Sequence, residues 1–287
     1  EPSCDVDRTE HDHDDVIEII GDDTDRLVEA IARHPWRPLV GRGTGSDWAV
    51  RGDAELRALF GRANGTYQVV NYEPPILYYH NDDKPLAGLA GIDSRAPARV
   101  VRGNLSGLVD ALGRGERVYL SAANDTAIVG KLRDLPPATV LPALLLRGAG
   151  EALGLNEQAH RALNLWVGGN GVTAAAHYDA SANLYAQLHG RKRFLLVDPA
   201  LHLELELYPF LHPRFRRAQR LPGEPHPALE TGGSCGDAAP LSPELPVVAV
   251  ELDAGDVLYL PPYVFHHVVS DSPCSVSMNT WLGSEAT

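Results

Sequence analysis

The sequence predicts a mainly β fold, a double-stranded β-helix of the jelly-roll kind, with an N-terminal α/β portion packed on it. Two observations predict it. The second half of the chain reads as a succession of short apolar strands broken by turn residues, and the first half mixes helical periodicity with isolated strands. About eight short strands with turns between them is the pattern of a sandwich or barrel.

In chain order, residues 1–24 form an acidic segment without apolar periodicity, expected to be solvated and flexible. Residues 25–153 form the N-terminal portion. Helical spacing runs from Asp25 to Ala32 and from Glu55 to Phe60, and strands are expected at Ile76-Leu77-Tyr78-Tyr79 and Arg117-Val118-Tyr119-Leu120. Residues 154–287 form the core. Its strands are Leu163 to Val167, Ala174 to Asp179, Asn183 to His189, Arg193 to Val197, Val247 to Leu252, Asp256 to Leu260, Val264 to Ser270 and Ser275 to Leu282. Gly168-Gly169-Asn170-Gly171, His189-Gly190 and Asp253-Ala254-Gly255-Asp256 supply reversals, because Gly and Asn tolerate positive φ. A proline- and glycine-rich insert at 208–246 interrupts the core and is expected to be a lid over the site or a disordered loop.

Composition bounds the function. A chain of 287 residues can bury one full core with an appended portion. The formal net charge of −13 opposes nucleic-acid binding, which rests on basic surface. Cys4, Cys235 and Cys274 are odd in number and far apart, which points to a reduced, cytoplasmic setting. No apolar run is long enough to cross a bilayer, so no membrane partner is expected. Arginine far exceeding lysine, with abundant alanine and glycine, points to a bacterial source of high G+C content.

The chemistry resides in two motifs. His177-Tyr178-Asp179 and Pro261-Pro262-Tyr263-Val264-Phe265-His266-His267 together offer two histidines and a carboxylate, the facial triad of non-heme Fe(II) oxygenases. In an extended strand, residues i and i+2 point the same way, so His177 and Asp179 share a face and Tyr178 takes the other. His-x-Asp alone is weak, since His13-Asp14-Asp15 and His80-Asn81-Asp82 also match. His13 lies in the charged N-terminal segment, and His80 stands where a strand gives way to a turn. Only His177 lies within the strand succession. The choice between His266 and His267 is left open by pattern, because both faces of that strand carry apolar neighbours.

Lys192 is one of three lysines, with Lys84 and Lys131, and stands at the entry to a strand after a hairpin turn. The bland reading is a solvated basic turn. A buried ammonium there would need a carboxylate, which a dicarboxylate cosubstrate provides.

Taken together, His177-Tyr178-Asp179, the run Asn183 to Arg193, Leu207-Tyr208-Pro209, Gly255 to Pro261 and His266-His267 resemble the JmjC/cupin-8 family of 2-oxoglutarate oxygenases. Within it the chain most resembles the asparaginyl hydroxylases of the factor-inhibiting-HIF type, from about Arg26 to Trp281. The resemblance implies that His177, Asp179 and His266 bind Fe(II), with 2-oxoglutarate and O2 as cosubstrates. It implies that Lys192 and Tyr119 hold the far carboxylate of 2-oxoglutarate and that Asn183 and Asn279 lie near it, with Trp281 on the strand face of Asn279. Tyr178, Arg217 and Trp281 are candidates for contact with substrate.

Two departures stand out. The family places a threonine three residues before the first metal histidine; here that residue is Ala174, and Thr173 is one further back, so a bulge restores the cosubstrate contact or the contact is absent. A family glutamine that reads the asparagine amide is replaced by Arg217, inside the basic cluster Arg214 to Arg220. The implied activity is therefore hydroxylation of a side-chain carbon, the β-carbon of Asp, His or Asn, in a peptide or protein, a peptide natural-product precursor included. Two alternatives are a hydroxylase of a small molecule or free amino acid and a non-catalytic cupin that binds a ligand. The chain ends shortly after Trp281, so a monomer, or a dimer not built on C-terminal helices, is expected.

Overall fold

The computed structural model describes residues 17–21, 23–60, 63–77, 80–89, 98–123, 135–156, 160–219 and 246–283. The segment 1–16 with His13, Cys4, Lys131, Cys235, Tyr78, Tyr79, Arg220 and the rest of the insert from 220 to 245 lie outside the described residues.

Among the described residues the N-terminal half supplies six strands and four α-helices. β1 (Ile17–Ile20) is followed by α1 (Thr24–Arg33), β2 (Leu39–Arg42) and α2 (Asp53–Phe60). Then come β3 (Asn64–Val69), β4 (Ile76–Leu77), β5 (Arg99–Asn104), α3 (Ser106–Gly113), β6 (Val118–Ala123) and α4 (Pro136–Ala149). The start of α1 follows from Asp23, whose carboxylate accepts from the backbone N–H groups of Asp25 and Arg26 at 2.9 and 3.3 Å. Its Leu27, Val28 and Ile31 form one buried stripe. That stripe meets α4 closely: a Cβ at Gly148 would lie 2.9 Å from Ile31, so only glycine permits this approach.

The core strands match the sequence expectation closely: β7 (His160–Gly169), β8 (Thr173–His177), β9 (Ala182–His189), β10 (Lys192–Val197), β11 (Val248–Leu252), β12 (Val257–Leu260), β13 (Phe265–Ser270) and β14 (Cys274–Gly283). Most ends shift by a residue, β7 extends beyond Leu163 to Val167 on both sides, and one strand stops short. The strand expected to run to Asp179 ends at His177, because the chain beyond it leaves β13: Tyr178 N–H donates to Arg216 O and Asp179 O accepts from Tyr263 N–H.

Among the described residues the strands form two sheets, β1-β2-β12-β9-β14-β7-β6-β3-β5 and β11-β10-β13-β8-β4. β12, β9, β14 and β7 face β11, β10, β13 and β8 to make the jelly roll, and the N-terminal strands extend the large sheet beyond both β12 and β7. The interior between the sheets holds Tyr185, Phe194, Leu196, Val250, Leu252, Leu258, Leu260 and Val264. The opposite face of the large sheet is covered by α1 and α4, whose Leu27, Ile31, Leu141 and Leu145 pack with Leu165, Leu184 and Met278. No helix among the described residues is long and apolar enough to cross a membrane.

Candidate metal centre

His177 closes β8 directly opposite His266 of β13, with ring centroids 4.2 Å apart. Asp179 follows two residues later, and one ligand atom from each of the three lies within 4.8 Å of the others. Asp179 is held at its backbone by the N–H of Tyr263 at 2.7 Å. Tyr263 adopts a φ of 71°, a left-handed conformation that a non-glycine residue takes only where its surroundings enforce it.

The histidines are prepared as ligands. Nδ1 of His177 meets Ala175 O at 2.7 Å and Nδ1 of His266 meets Val264 O at 3.0 Å. A carbonyl only accepts, so both Nδ1 atoms carry the proton and both Nε2 lone pairs are available to a metal. Burial, the Arg217 charge and His266 hold the His177 imidazole well below its usual pKa; burial likewise lowers His266, with Asp179 opposing. Neutral imidazoles beside a carboxylate suit a divalent transition metal with open positions.

Register shows which of the adjacent histidines faces His177. His266 lies opposite Leu196 and His177, on the interior face. His267 lies opposite Leu195, on the face that carries Phe265, buried but turned away from the barrel interior.

The same register places the threonine. A bulge falls between His266 and Val268: His266 pairs with His177, whereas Val268 pairs with Ala174 and Val269 with Thr173. Cross-strand partners share a face, so Ala174 joins the interior with Val268 and Thr173 faces outward with Val269, opposite exposed Arg193. The Thr173 hydroxyl donates to Gly171 O at 2.9 Å. The bulge therefore does not bring Thr173 to the cosubstrate pocket, and that expectation is corrected.

The remaining interior residues form a linked polar layer. Trp281 donates Nε1–H to Asp179 Oδ2 at 3.0 Å. Trp166 Nε1–H donates to Asn279 Oδ1 at 2.7 Å, and Asn279 Nδ2 donates to Asn183 Oδ1 at 2.9 Å. Tyr119, opposite Gly168, sets its ring 6.2 Å from that of Trp166. Lys192 is 4 % exposed and donates to the Tyr185 hydroxyl at 2.6 Å, while Tyr185 also bonds Ser277. Burial alone lowers the Lys192 pKa to about 7, because no carboxylate stands beside it.

Arg217 reaches the site from the insert. Its backbone bridges His177 in antiparallel fashion, and Ala218 N–H donates to Ala176 O. Its charge adds to the lowering of the His177 and His266 pKa and offsets part of the rise that burial imposes on Tyr119. Tyr178 points the other way, its ring 5.3 Å from Phe265 and 5.9 Å from Tyr263, with the Arg216 guanidinium over it.

Sequence reasoning missed Tyr185, Ser277, Trp166 and Asn164. The available signal was the period of two: Tyr185 follows Asn183, Ser277 precedes Asn279, and both pairs share the interior face. Asn164, fully buried opposite Asn279, has neither amide atom hydrogen-bonded. An unpaired buried ammonium and an orphaned buried amide in one barrel interior fit a bound polar molecule, and a dicarboxylate answers the ammonium.

A model of the cupin-like domain family matches residues 33–286. The chain is similar to Lysine-specific demethylase JMJ32 of Arabidopsis thaliana, 32 % identical over 154 residues, covering 46 % of this chain and 44 % of that protein. It is similar to Jumonji C domain-containing protein 5 of Drosophila melanogaster, 33 % identical over 135 residues, covering 44 % of this chain and 29 % of that protein. HSPB1-associated protein 1 of Homo sapiens is 32 % identical over 125 residues, covering 42 % of this chain and 23 % of that protein. The matched part spans less than half the length of each of these relatives.

Proposed function

Because the chain belongs to the cupin-like domain family, we propose that it is an Fe(II)- and 2-oxoglutarate-dependent hydroxylase acting on a side-chain carbon of a peptide or protein. The observation that carries this reading is Lys192, a buried ammonium whose one hydrogen-bond partner is a neutral phenol, in the same barrel interior as a His/Asp/His set.

Iron held there would let dioxygen act as the oxidant, with 2-oxoglutarate giving up two electrons as it becomes succinate and CO2, one oxygen atom entering succinate and the other a substrate C–H bond. The protein holds and orients. His177, Asp179 and His266 would hold the iron through one ligand atom each. Trp281 fixes the Asp179 carboxylate. Lys192 and Tyr119 receive the distal carboxylate, and the Trp166–Asn279–Asn183 chain stiffens the interior between them. Leu196, Leu258 and Leu260 keep water out.

The resemblance of the sequence motifs to asparaginyl hydroxylases supports the β-carbon of Asn, Asp or His as the target. Arg217 bears on this choice. A cation that already lowers the pKa of both metal histidines disfavours a methylated ammonium in the substrate position and favours a neutral or anionic side chain. Hydroxylation is therefore preferred over lysine demethylation.

The test is an anaerobic titration of the purified protein with Fe(II) and then 2-oxoglutarate, read by the visible metal-to-ligand charge-transfer band. The expected result is a band that is lost in His177→Ala and needs far more cosubstrate in Lys192→Ala. A folded, metal-loaded protein without the band would overturn the assignment and favour a ligand-binding cupin.

A further inference from the structure

We propose that the Tyr185 hydroxyl, set by Ser277, is a third anchor for the distal carboxylate of 2-oxoglutarate beside Lys192 and Tyr119, taking the place of the missing hydroxyl at position 174. The inference rests on the oxygenase reading above.

Hydrogen-bond capacity carries the argument. A phenol has one proton to give and oxygen lone pairs to accept with. Tyr185 accepts from Lys192 at 2.6 Å, and its other hydrogen bond is to Ser277 Oγ. Ser277 is fully buried and makes no other hydrogen bond through its side chain. When Ser277 donates to Tyr185, the phenol oxygen accepts twice and its own proton is unspent. That proton sits beside the two unused N–H donors of the Lys192 ammonium. Two adjacent donors, one of them charged, match the two oxygens of a carboxylate. Burial raises the Tyr185 pKa, so the phenol keeps its proton at working pH.

Position agrees with capacity. Tyr185 lies opposite Leu258 on one side and Asn279 on the other, so it points into the barrel interior, where it packs edge-on against Phe194 with ring centroids 5.2 Å apart. The Tyr119 ring lies 6.2 Å from that of Trp166, which stands opposite Ser277. Across the barrel, the bulge brings only the Ala174 methyl to the interior, and Thr173 faces outward. A donor absent from β8 is thus supplied by β9.

The consequence is selectivity for a 2-oxo acid with a second carboxylate. The test compares wild type, Tyr185→Phe and Ser277→Ala, each loaded anaerobically with Fe(II), by charge-transfer titration and by calorimetry on the Zn(II)-loaded forms. Tyr185→Phe is expected to weaken 2-oxoglutarate by about tenfold or more, as loss of a hydrogen bond to a charged group implies, with Fe(II) affinity unchanged and Tm of the cosubstrate-free protein lowered by the loss of the Lys192 and Ser277 partner. Ser277→Ala is expected to weaken it about threefold. Binding of 2-oxopentanoate, which lacks the distal carboxylate, is expected to be equal in wild type and Tyr185→Phe. Equal affinity of wild type and Tyr185→Phe for 2-oxoglutarate, or an equal loss for 2-oxopentanoate, overturns the proposal while leaving the oxygenase reading in place. Should Tyr185→Phe fail to fold, unchanged affinity in Ser277→Ala overturns it. Wild type that binds no 2-oxoglutarate removes the oxygenase reading itself, and the anchor with it.

Discussion

The indole of Trp281 donates to Asp179 Oδ2 at 3.0 Å, so a residue on β14 of the large sheet orients a carboxylate that follows β8 of the small sheet. Such partners of ligand carboxylates are worth about 10- to 100-fold in metal affinity. Trp281→Phe, which keeps the ring and removes the donor, is expected to weaken Fe(II) binding by about tenfold. Competition with a chelator of known affinity checks it, with circular dichroism showing an intact fold.

The two adjacent histidines should separate cleanly. His266→Ala is expected to lose stoichiometric metal binding, because its Nε2 faces Asp179 at 3.8 Å. His267→Ala is expected to bind one metal per chain as wild type does, since it lies on the other face of β13. Metal content after dialysis against Fe(II) under argon decides this, and loss in both variants would contradict the register argument.

Lys192 sets a pH dependence. Burial lowers its pKa from the usual 10.5 to about 7. Between those values the unfolded chain binds more protons than the folded one, so stability rises with pH across that window and falls as pH drops toward 7. The cosubstrate-free protein is expected to show a higher urea midpoint at pH 9 than at pH 7, with the difference reduced in Lys192→Met. The same shift means that binding of 2-oxoglutarate at pH 8 takes up a proton, as the neutral amine becomes an ammonium beside the carboxylate. Calorimetry in buffers of different ionisation enthalpy measures that uptake.

The turn that presents Lys192 is not the hairpin the sequence suggests, since β9 and β10 lie in different sheets, and this crossing from one sheet to the other depends on Gly190. Its φ is 65°, and a Cβ there would lie 2.0 Å from the carbonyl oxygen of Cys274. Backbone cannot yield as a side chain can, so Gly190→Ala is expected to cost at least about 2 kcal/mol of stability. Urea denaturation of the metal-free protein measures it.

Much of this molecule was legible in the chain. The eight core strands follow from alternating apolar residues and turn residues between them, and α1 from the helical spacing that runs from Asp25 to Ala32. His177 and Asp179 were singled out by spacing, and Lys192 by its place in a sequence with so few lysines. These are local properties, set within a few residues by sterics and the period of two.

What the tertiary structure alone decided depends on how strands meet. Whether His266 or His267 faces inward is a matter of which side of β13 the opposing sheet covers. Ala174 displaces Thr173 from the interior because one extra residue bulges from β8 against β13, a property of the pair that neither strand carries by itself. The meeting of Lys192 with Tyr185, and of Arg217 with His177, joins residues whose contact no local rule specifies. Alternation along a strand fixes which side chains travel together; packing of one sheet on another fixes which of those faces becomes the site.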